Sequence, residues 1–311
     1  MTPARIVAEL GFAGQTLLLV AVFVVAGIVL RRRLGIDSTA MSRTALYVFT
    51  PGLVFHALTQ KGLSAHDLAA IVVFAASMVA AAVVLSRGVG RMLHADQGEQ
   101  AALDLTTAFS NSSNLGLPLV AFTLGPTSLQ AAVVFVLTQI VAVNTVGAYL
   151  ASRGSMDPGA AWRRVVRLPA MWAMIAAAAV DLWHLPVPTG LATATTIAGN
   201  AYSPTVLVVL GATIADWRLA DIRGALAWWS TCLRLIAMPA VAAGIVAVLP
   251  LAAPAARALV LQIATPVAIN AVILSREFQA APEQVAQTIT LSTVASTVTV
   301  PAVLAVLGLV R

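Results

Sequence analysis

Long runs of apolar residues recur along the whole chain and constrain its fold more than any other feature. A membrane-spanning helix needs roughly 20 predominantly apolar residues. Ten such runs lie at about 12–30, 40–59, 67–88, 100–124, 127–150, 165–182, 190–214, 225–249, 254–275 and 283–309. Because these runs fill most of the 311 residues, we expect an all-α polytopic membrane protein with ten transmembrane helices and short loops.

The composition excludes other classes of protein. Hydrophobic residues make up 60% of the chain and charged residues 10%, whereas soluble domains carry about 25% charged residues. A soluble globule, a disordered chain and a fibrous repeat are therefore excluded, and the single cysteine, Cys232, cannot form an internal disulfide. Arginines 31–33 directly follow the first run, where a cleaved signal peptide would carry small residues. We therefore expect this run to be an uncleaved first helix.

The 18 Lys and Arg residues fall very unequally on the two sides of the predicted spans. One side carries Arg5, Lys61, Arg257 and Arg311. The other side carries Arg31, Arg32, Arg33, Arg43, Arg87, Arg91, Arg153, Arg163, Arg164, Arg167, Arg218, Arg223, Arg234 and Arg276. Because basic residues near span ends remain cytoplasmic, we expect both termini to face away from the cytoplasm. The net charge of +6 then reflects topology, and we expect no nucleic-acid partner.

Five predicted spans precede a basic central segment and five follow it, so the two halves would have opposite orientations in the membrane. Prolines recur at matching places, since Pro51 in the second span matches Pro204 in the seventh, and Pro118 in the fourth matches Pro266 in the ninth. Inverted repeats with broken helices are typical of secondary transporters. The predicted division is 1–150 for the first repeat, 151–167 for a short cytoplasmic linker and 168–311 for the second repeat.

The fourth predicted span is broken by the polar run Ser110–Asn114, followed by Gly116 and Pro118. Polar groups in mid-bilayer cannot face lipid, and proline removes a backbone donor and opens the helix. We expect the helix to restart with Pro118 in its first turn, so that its positive end favours an anion. In the ninth span, Thr265 is expected to cap the second half-helix and Pro266 to start it. The alternative is that each proline merely kinks a packed helix.

These two breaks supply the candidate substrate-binding residues. They are Asn111, Ser112, Ser113, Asn114, Gly116, Pro118, Thr265, Pro266 and Asn270. Two such breaks crossing at the membrane midplane would bring polar backbone from both halves together.

Four residues in or near the broken spans are candidates for binding a coupling ion: Asp104, Gln139, Asn144 and Gln262. Carboxylate and amide oxygens suit a proton or Na⁺. Alternatively, Asp104 is an interfacial residue that reaches the headgroups, and the amides only hydrogen-bond between helices. For Arg234 in the eighth span, the two readings are contact with an anionic substrate and extension of its side chain to the cytoplasmic face.

The motifs Asn111…Gly116-x-Pro118 and Pro266-x-x-x-Asn270 resemble the crossover motifs of the auxin efflux carrier family. This family includes the plant PIN carriers and many bacterial permeases, and it belongs to the bile acid, arsenite and riboflavin transporter superfamily. The resemblance extends over nearly the whole chain. It implies the ten-helix fold of the bile acid–sodium symporters, with crossing broken helices in spans 4 and 9. Spans 1, 2, 6 and 7 would form a scaffold, and spans 3–5 and 8–10 a transport domain.

The resemblance also implies elevator-type alternating access, a homodimer built on the scaffold and a compact carrier of the bacterial inner membrane. Suggested substrates are carboxylates such as malate or malonate, or auxin-like acids. Enzyme motifs are missing from the sequence: it has no H-E-x-x-H, no Gly-rich phosphate loop and no paired metal ligands. We therefore expect no catalytic residue, no metal and no cofactor, with a coupling Na⁺ or H⁺ left open. The alternatives are a sodium-coupled organic anion symporter and a non-transporting membrane sensor.

Overall fold

Helices account for 86% of the computed structural model, which describes residues 3–60, 63–152, 158–215 and 224–309. These residues form no β-strand, so the predicted all-α class is confirmed. Among the described residues, five helices are long and apolar enough to cross a membrane: His66–Leu93, Pro126–Ala151, Thr189–Ile214, Ala225–Val248 and Pro282–Leu307. The number of crossings and their inverted symmetry remain predictions. Five of the Lys and Arg residues used above to assign the two sides of the membrane lie outside the described residues: Lys61, Arg153, Arg218, Arg223 and Arg311.

The described residues form thirteen helices, numbered here in chain order. They are α1 (Pro3–Leu34), α2 (38–59), α3 (Ala65–Leu93), α4 (Gln97–Ala108), α5 (112–123), α6 (Pro126–Ala151), α7 (Pro158–Val166), α8 (Pro169–Leu182), α9 (Thr189–Ile214), α10 (Ala225–Val248), α11 (Ala253–Ile263), α12 (Asn270–Glu277) and α13 (Pro282–Leu309). The predicted fourth span corresponds to α4 and α5, and the predicted ninth span to α11 and α12.

The helices pack in two connected groups. In the first group, α1 packs along α9, and α2 packs against both α8 and α9. In the second group, α3 contacts α4, α6 and α10, while α11 contacts α6 and α10, and α13 contacts α4 and α10. The groups meet where α1 contacts α13 and where α9 contacts the start of α5.

The central segment differs from the prediction. Part of the predicted linker is helical, as α7, and the predicted sixth span, 165–182, begins only at Pro169. Leu168 is extended, with φ −79° and ψ 123°, because the residue before a proline is disfavoured in the α conformation. The chain therefore ends one helix and starts another at this point.

Three helices contain a π-turn just before a proline: Pro51 in α2, Pro118 in α5 and Pro239 in α10. In each π-turn the N–H group before the proline donates to the carbonyl five residues earlier. Proline itself has no N–H group, so this register leaves the next carbonyl without a helical donor. These carbonyls belong to Leu46, Ser113 and Arg234.

Acidic N-caps begin two of the helices at the loops. Asp37 accepts a hydrogen bond from the Thr39 N–H group at 2.8 Å, and this contact holds the pKa of the Asp37 carboxyl below its ordinary value. Asp96 and Glu99 form a reciprocal capping box at the start of α4. Both caps lie in loops that we predict to be on the cytoplasmic side.

Helices α1 and α9 approach each other backbone to backbone through two glycines. A Cβ atom on Gly211 would lie 2.0 Å from the Val24 carbonyl oxygen, and one on Gly27 would lie 2.1 Å from the Val208 carbonyl oxygen. Small residues at helix–helix contacts permit this close packing in membranes. The contact therefore tolerates no side chain at either position.

We expect Gly211→Ala to destabilise the protein by about 1–3 kcal/mol, because the added methyl group forces α1 and α9 apart. The matched control is Gly244→Ala in α10, where a Cβ atom would meet nothing within 4 Å. Since alanine favours a helix by up to ~1 kcal/mol over glycine, this control should be neutral or stabilising. Thermal unfolding of the purified variants measures both changes, and equal shifts would contradict the close approach of the two helices.

Candidate functional site

The two breaks cross and pair through their backbones. Between α4 and α5, the Asn111 N–H group donates to the Pro266 carbonyl at 2.7 Å. In the opposite direction, the Ala268 N–H group, between α11 and α12, donates to the Phe109 carbonyl at 2.9 Å. Each break thus supplies a donor and an acceptor to the other. The backbone groups that leave the helical ladders are paired inside the protein, as a membrane interior requires.

Side chains from α6 and α13 complete the pairing of the bridge residues Ser110 and Val267. The Gln139 side-chain amide is oriented so that each of its polar atoms meets a complementary group. Its nitrogen donates to the Ser110 carbonyl at 3.1 Å, and its oxygen accepts from the Ser110 N–H group at 3.2 Å. The Ser112 hydroxyl is hydrogen-bonded to the same amide. On the other segment, the Val267 N–H group donates to Ser292 Oγ at 3.2 Å. Gln139 is therefore engaged with the crossing backbone.

The half-helix after the second break starts later than predicted. Helix α12 begins at Asn270, whereas Pro266 lies in the crossing segment. The Thr265 hydroxyl donates back to the Gln262 carbonyl at 2.7 Å, so the prediction that Thr265 caps the second half-helix is wrong. The reason is physical: the residues after Thr265 pair with the other break and cannot take up helical geometry until that pairing ends.

The first turn of α5 presents backbone donors without partners. The Asn111 carbonyl accepts from the N–H groups of Leu115 and Gly116, both at 3.1 Å. The N–H groups of residues 112–114 have no hydrogen-bond partner within the described part of the chain, and two of the three side chains are half-buried. Free N–H groups at the positive end of a helix favour an anion.

The first turn of α12 presents fewer unpaired backbone donors than that of α5. Its second and third N–H groups bond locally to the carbonyls of Ala268 and Ile269, at 3.0 and 3.2 Å. The Asn270 side chain is exposed at the start of this helix. The two breaks are therefore unequal, and α5 is the stronger candidate for binding an anion.

Tyr202 in α9 contacts the same turn of α5. Its hydroxyl donates to the Ser113 carbonyl at 3.1 Å, which is the carbonyl that Pro118 leaves without a helical donor. The tyrosine is buried, with 2% of its surface exposed. This hydrogen bond joins the group of α1, α2, α8 and α9 to the broken helix.

Arg234 lies inside the protein and contacts the ends of the two helices that lead into the crossing. Its Nη1 donates to the Thr107 carbonyl at 2.7 Å and its Nη2 donates to the Ile263 carbonyl. These carbonyls end α4 and α11, where the last carbonyls of a helix have no internal partner. Because the side chain is 0% exposed, the reading in which Arg234 extends to the cytoplasmic face is wrong.

Several buried polar atoms near the crossing have no partner among the described residues. Both polar atoms of the Gln262 amide are unpaired, and a Cβ atom on Gly116 would lie 1.9 Å from Gln262 Oε1. Gln262 therefore packs directly against the backbone of α5. The other unpaired atoms here are Thr107 Oγ1, Asn111 Nδ2 and Arg234 Nε. Buried polar atoms are normally paired, so this concentration indicates a site for a polar ligand or ordered water.

Asp104 belongs to a different site. Its carboxylate is 3% exposed and accepts hydrogen bonds from Ser86 Oγ at 2.5 Å and Gln100 Nε2 at 2.8 Å. It lines an open cleft of about 540 Å³ together with Arg87 and His94. The carboxylate thus bonds to side chains of α3 and α4, in place of the headgroup contact considered above.

Asn144 does not reach the crossing through its amide nitrogen, which donates to the Ile140 carbonyl at 2.9 Å within its own helix. It lies in a further π-turn, Val143–Gly147. Among the predicted residues, those brought together directly at the crossing are Asn111, Ser112, Gly116, Gln139, Gln262 and Pro266. Sequence reasoning missed the pairing roles of Ser110, Tyr202 and Ser292.

A helical protein with long apolar helices and two crossing broken helices has the architecture of a membrane transporter. The comparisons agree, since a family model described as membrane transport protein matches residues 18–157 and 158–304. The chain therefore belongs to this family, the auxin efflux carrier family. It is also 29% identical over 295 residues to a protein of Methanothermobacter thermautotrophicus described as an uncharacterized transporter, covering 92% of this chain and 96% of that relative.

Tyr202→Phe should lower the free energy of unfolding by about 1 kcal/mol, because it removes the hydrogen bond to the half-buried Ser113 carbonyl. Tyr47→Phe is the matched control, since the Tyr47 side chain is 56% exposed. Thermal unfolding of the two variants beside the parent protein tests this expectation. If Tyr202→Phe has the same unfolding midpoint as the control variant, the Tyr202–Ser113 hydrogen bond does not stabilise the protein.

Proposed function

We propose that the protein is a secondary transporter that moves small organic anions across the membrane by elevator-type alternating access. The observation that carries this proposal concerns the first turn of α5, beside the crossing. There the N–H groups of residues 112–114 have no hydrogen-bond partner among the described residues. A carboxylate is the complementary ligand, because it accepts several N–H donors at once and carries the charge that a helix N-terminus favours. Mono- and dicarboxylates such as malate or malonate, and auxin-like acids, fit this description.

The movement would occur between the two packing groups. We propose that α1, α2, α8 and α9 form the scaffold and that α3–α6 and α10–α13 form the transport domain, in ten crossings arranged as inverted repeats. Support comes from the helix contacts within each group. In this arrangement, the Tyr202–Ser113 hydrogen bond would break and reform as the transport domain moves. A homodimer through the scaffold, and termini outside a bacterial inner membrane, remain predictions.

Asn111 and Asn270 would add directional hydrogen bonds to the anion or to its pairing backbone. We expect Asn111→Ala and Asn270→Ala each to weaken carboxylate binding about three- to tenfold, the size of one lost hydrogen bond. Asn200→Ala is the control, because Asn200 is exposed and belongs to α9, outside both breaks.

The measurement is a thermal-shift screen of the purified protein against carboxylates, with Na⁺ or choline as the cation and at two pH values. A ligand that binds the folded state must raise its apparent stability. Unchanged binding in both asparagine variants would remove the site assignment. Stabilisation that needs Na⁺ would favour the alternative of a sodium-coupled symporter, and binding without tracer flux in proteoliposomes would favour a membrane sensor.

For coupling, we propose that Asp104 carries a proton. A buried carboxylate in a membrane is costly unless it is paired, solvated or protonated. The hydrogen bonds of Asp104 come from the neutral side chains of Ser86 and Gln100, and the charged Arg87 lies in the same cleft. The open cleft beside it gives a path for protons from solution.

An inward proton gradient should therefore stimulate anion accumulation in proteoliposomes, and Asp104→Asn should abolish the stimulation. Asp96→Asn makes the same chemical change in the same cleft and keeps a good N-cap, so it should retain the stimulation. His94→Gln tests separately whether His94, which lines the cleft, contributes to the stimulation. Stimulation that survives Asp104→Asn, or a parent protein that ignores the gradient, would contradict proton binding at Asp104.

A further inference from the structure

Arg234 lies where transporters with broken helices hold their coupling cation. In such carriers, the C-terminal ends of half-helices and nearby unwound carbonyls coordinate Na⁺. Here the corresponding carbonyls, of Thr107 at the end of α4 and Ile263 at the end of α11, accept hydrogen bonds from the Arg234 guanidinium. The ligands that a metal cation would need are already engaged.

The charges balance without another ion. Each helix C-terminus carries about −0.5 of an elementary charge, so the two ends together present about −1. An arginine side chain stays protonated in proteins and supplies +1. The Asp104 carboxylate on α4 takes its hydrogen bonds from Ser86 and Gln100. In the described residues the helix ends are therefore the contacts that compensate the buried guanidinium.

A local feature of the sequence directs the side chain inward. Arg234 lies in the π-turn Leu233–Ala237, which precedes Pro239, and π-turns are often found at functional positions in helices. Its neighbours Leu233 and Leu235 are also buried, whereas Ile236 is 65% exposed. The turn thus fixes which side of α10 faces the crossing.

We infer that Arg234 is a tethered cation that fills the coupling-ion position of the crossing, so that the site is complete and binds its anion without Na⁺. The inference rests on the proposed transport function and deepens it. Arg234 acts on the anion through α4 and α11, whose ends it holds together, and is in this sense a positioning residue. Of the coupling-ion candidates at the crossing, Gln139 then pairs with the crossing backbone and Gln262 packs against α5.

The test measures the thermal unfolding of purified protein without any organic anion, in NaCl and in choline chloride of equal ionic strength. The parent protein should unfold at the same temperature in both salts. In choline chloride, Arg234→Ala should unfold at a temperature several degrees below that of the parent protein. Low millimolar guanidinium should restore a large part of that loss, and NaCl a smaller part, because both return positive charge to the vacated position.

Two further variants separate charge from packing. Arg234→Lys keeps the charge and should lose less stability than Arg234→Ala, with no gain from guanidinium. Arg276→Ala is the control for loss of an arginine, since Arg276 lies in the last turn of α12 and is exposed. It should not respond to guanidinium or to Na⁺. A purely structural arginine would give losses in Arg234→Ala that no added cation reverses.

Saturable stabilisation of the parent protein by NaCl over choline would overturn the inference, because it would reveal a cation site beside Arg234. So would an Arg234→Ala variant that is as stable as the parent in choline, or one that guanidinium does not rescue. If Arg234→Ala does not fold, the comparison of salts on the parent protein and the Arg234→Lys variant still decides the question. Because no arm contains a carboxylate, failure here is distinguishable from failure of the carboxylate screen.

Discussion

The structure depends on pairing backbone groups where two helices are interrupted inside a membrane protein. No water is present in the bilayer core to satisfy free N–H and C=O groups, so each break must be paired by protein. The chain achieves this by crossing the two breaks, with Asn111 bonded to Pro266 and Ala268 to Phe109. Arg234 then pairs the helix ends that the crossing leaves behind. In the part of the chain that the structure describes, the N–H groups of residues 112–114 in the first turn of α5 stay unpaired, and this is where we propose that an anion binds.

Proline has a role in this arrangement beyond opening a helix. In α5 and α10, the π-turn before Pro118 and Pro239 shifts the hydrogen-bond register by one residue. In α5 the carbonyl freed in this way, that of Ser113, accepts the Tyr202 hydroxyl from the neighbouring packing group. In α10 the same turn contains the buried Arg234. The Tyr202 contact joins α9 to α5, and the Arg234 contacts join α10 to α4 and α11. The π-turns before the prolines therefore determine contacts between helices as well as within them.

The sequence was informative about the all-helical class, the family and the places of the two breaks, because apolar runs and proline-containing polar segments are local signals. It was less informative about how the breaks are paired. Ser110 and Ser292 look like ordinary small polar residues until the fold brings them to the crossing backbone. The prediction that Thr265 caps a helix failed because pairing with a segment over 150 positions away overrides local capping preference. Arg234 was visible as a charge in an apolar run, but only its contacts with α4 and α11 distinguish it from a side chain that reaches the surface.

Alternating access of the crossing is the central claim, and cysteine labelling tests it most directly. The single native cysteine, Cys232, is exposed, so Cys232→Ser supplies a background without thiols. In this background, Ser113→Cys places a nearly isosteric probe in the half-buried first turn of α5. Labelling with a membrane-impermeant reagent, in vesicles of each orientation, should occur from both faces and should slow when a bound carboxylate is present. Labelling from one face only, with or without the carboxylate, would contradict the account.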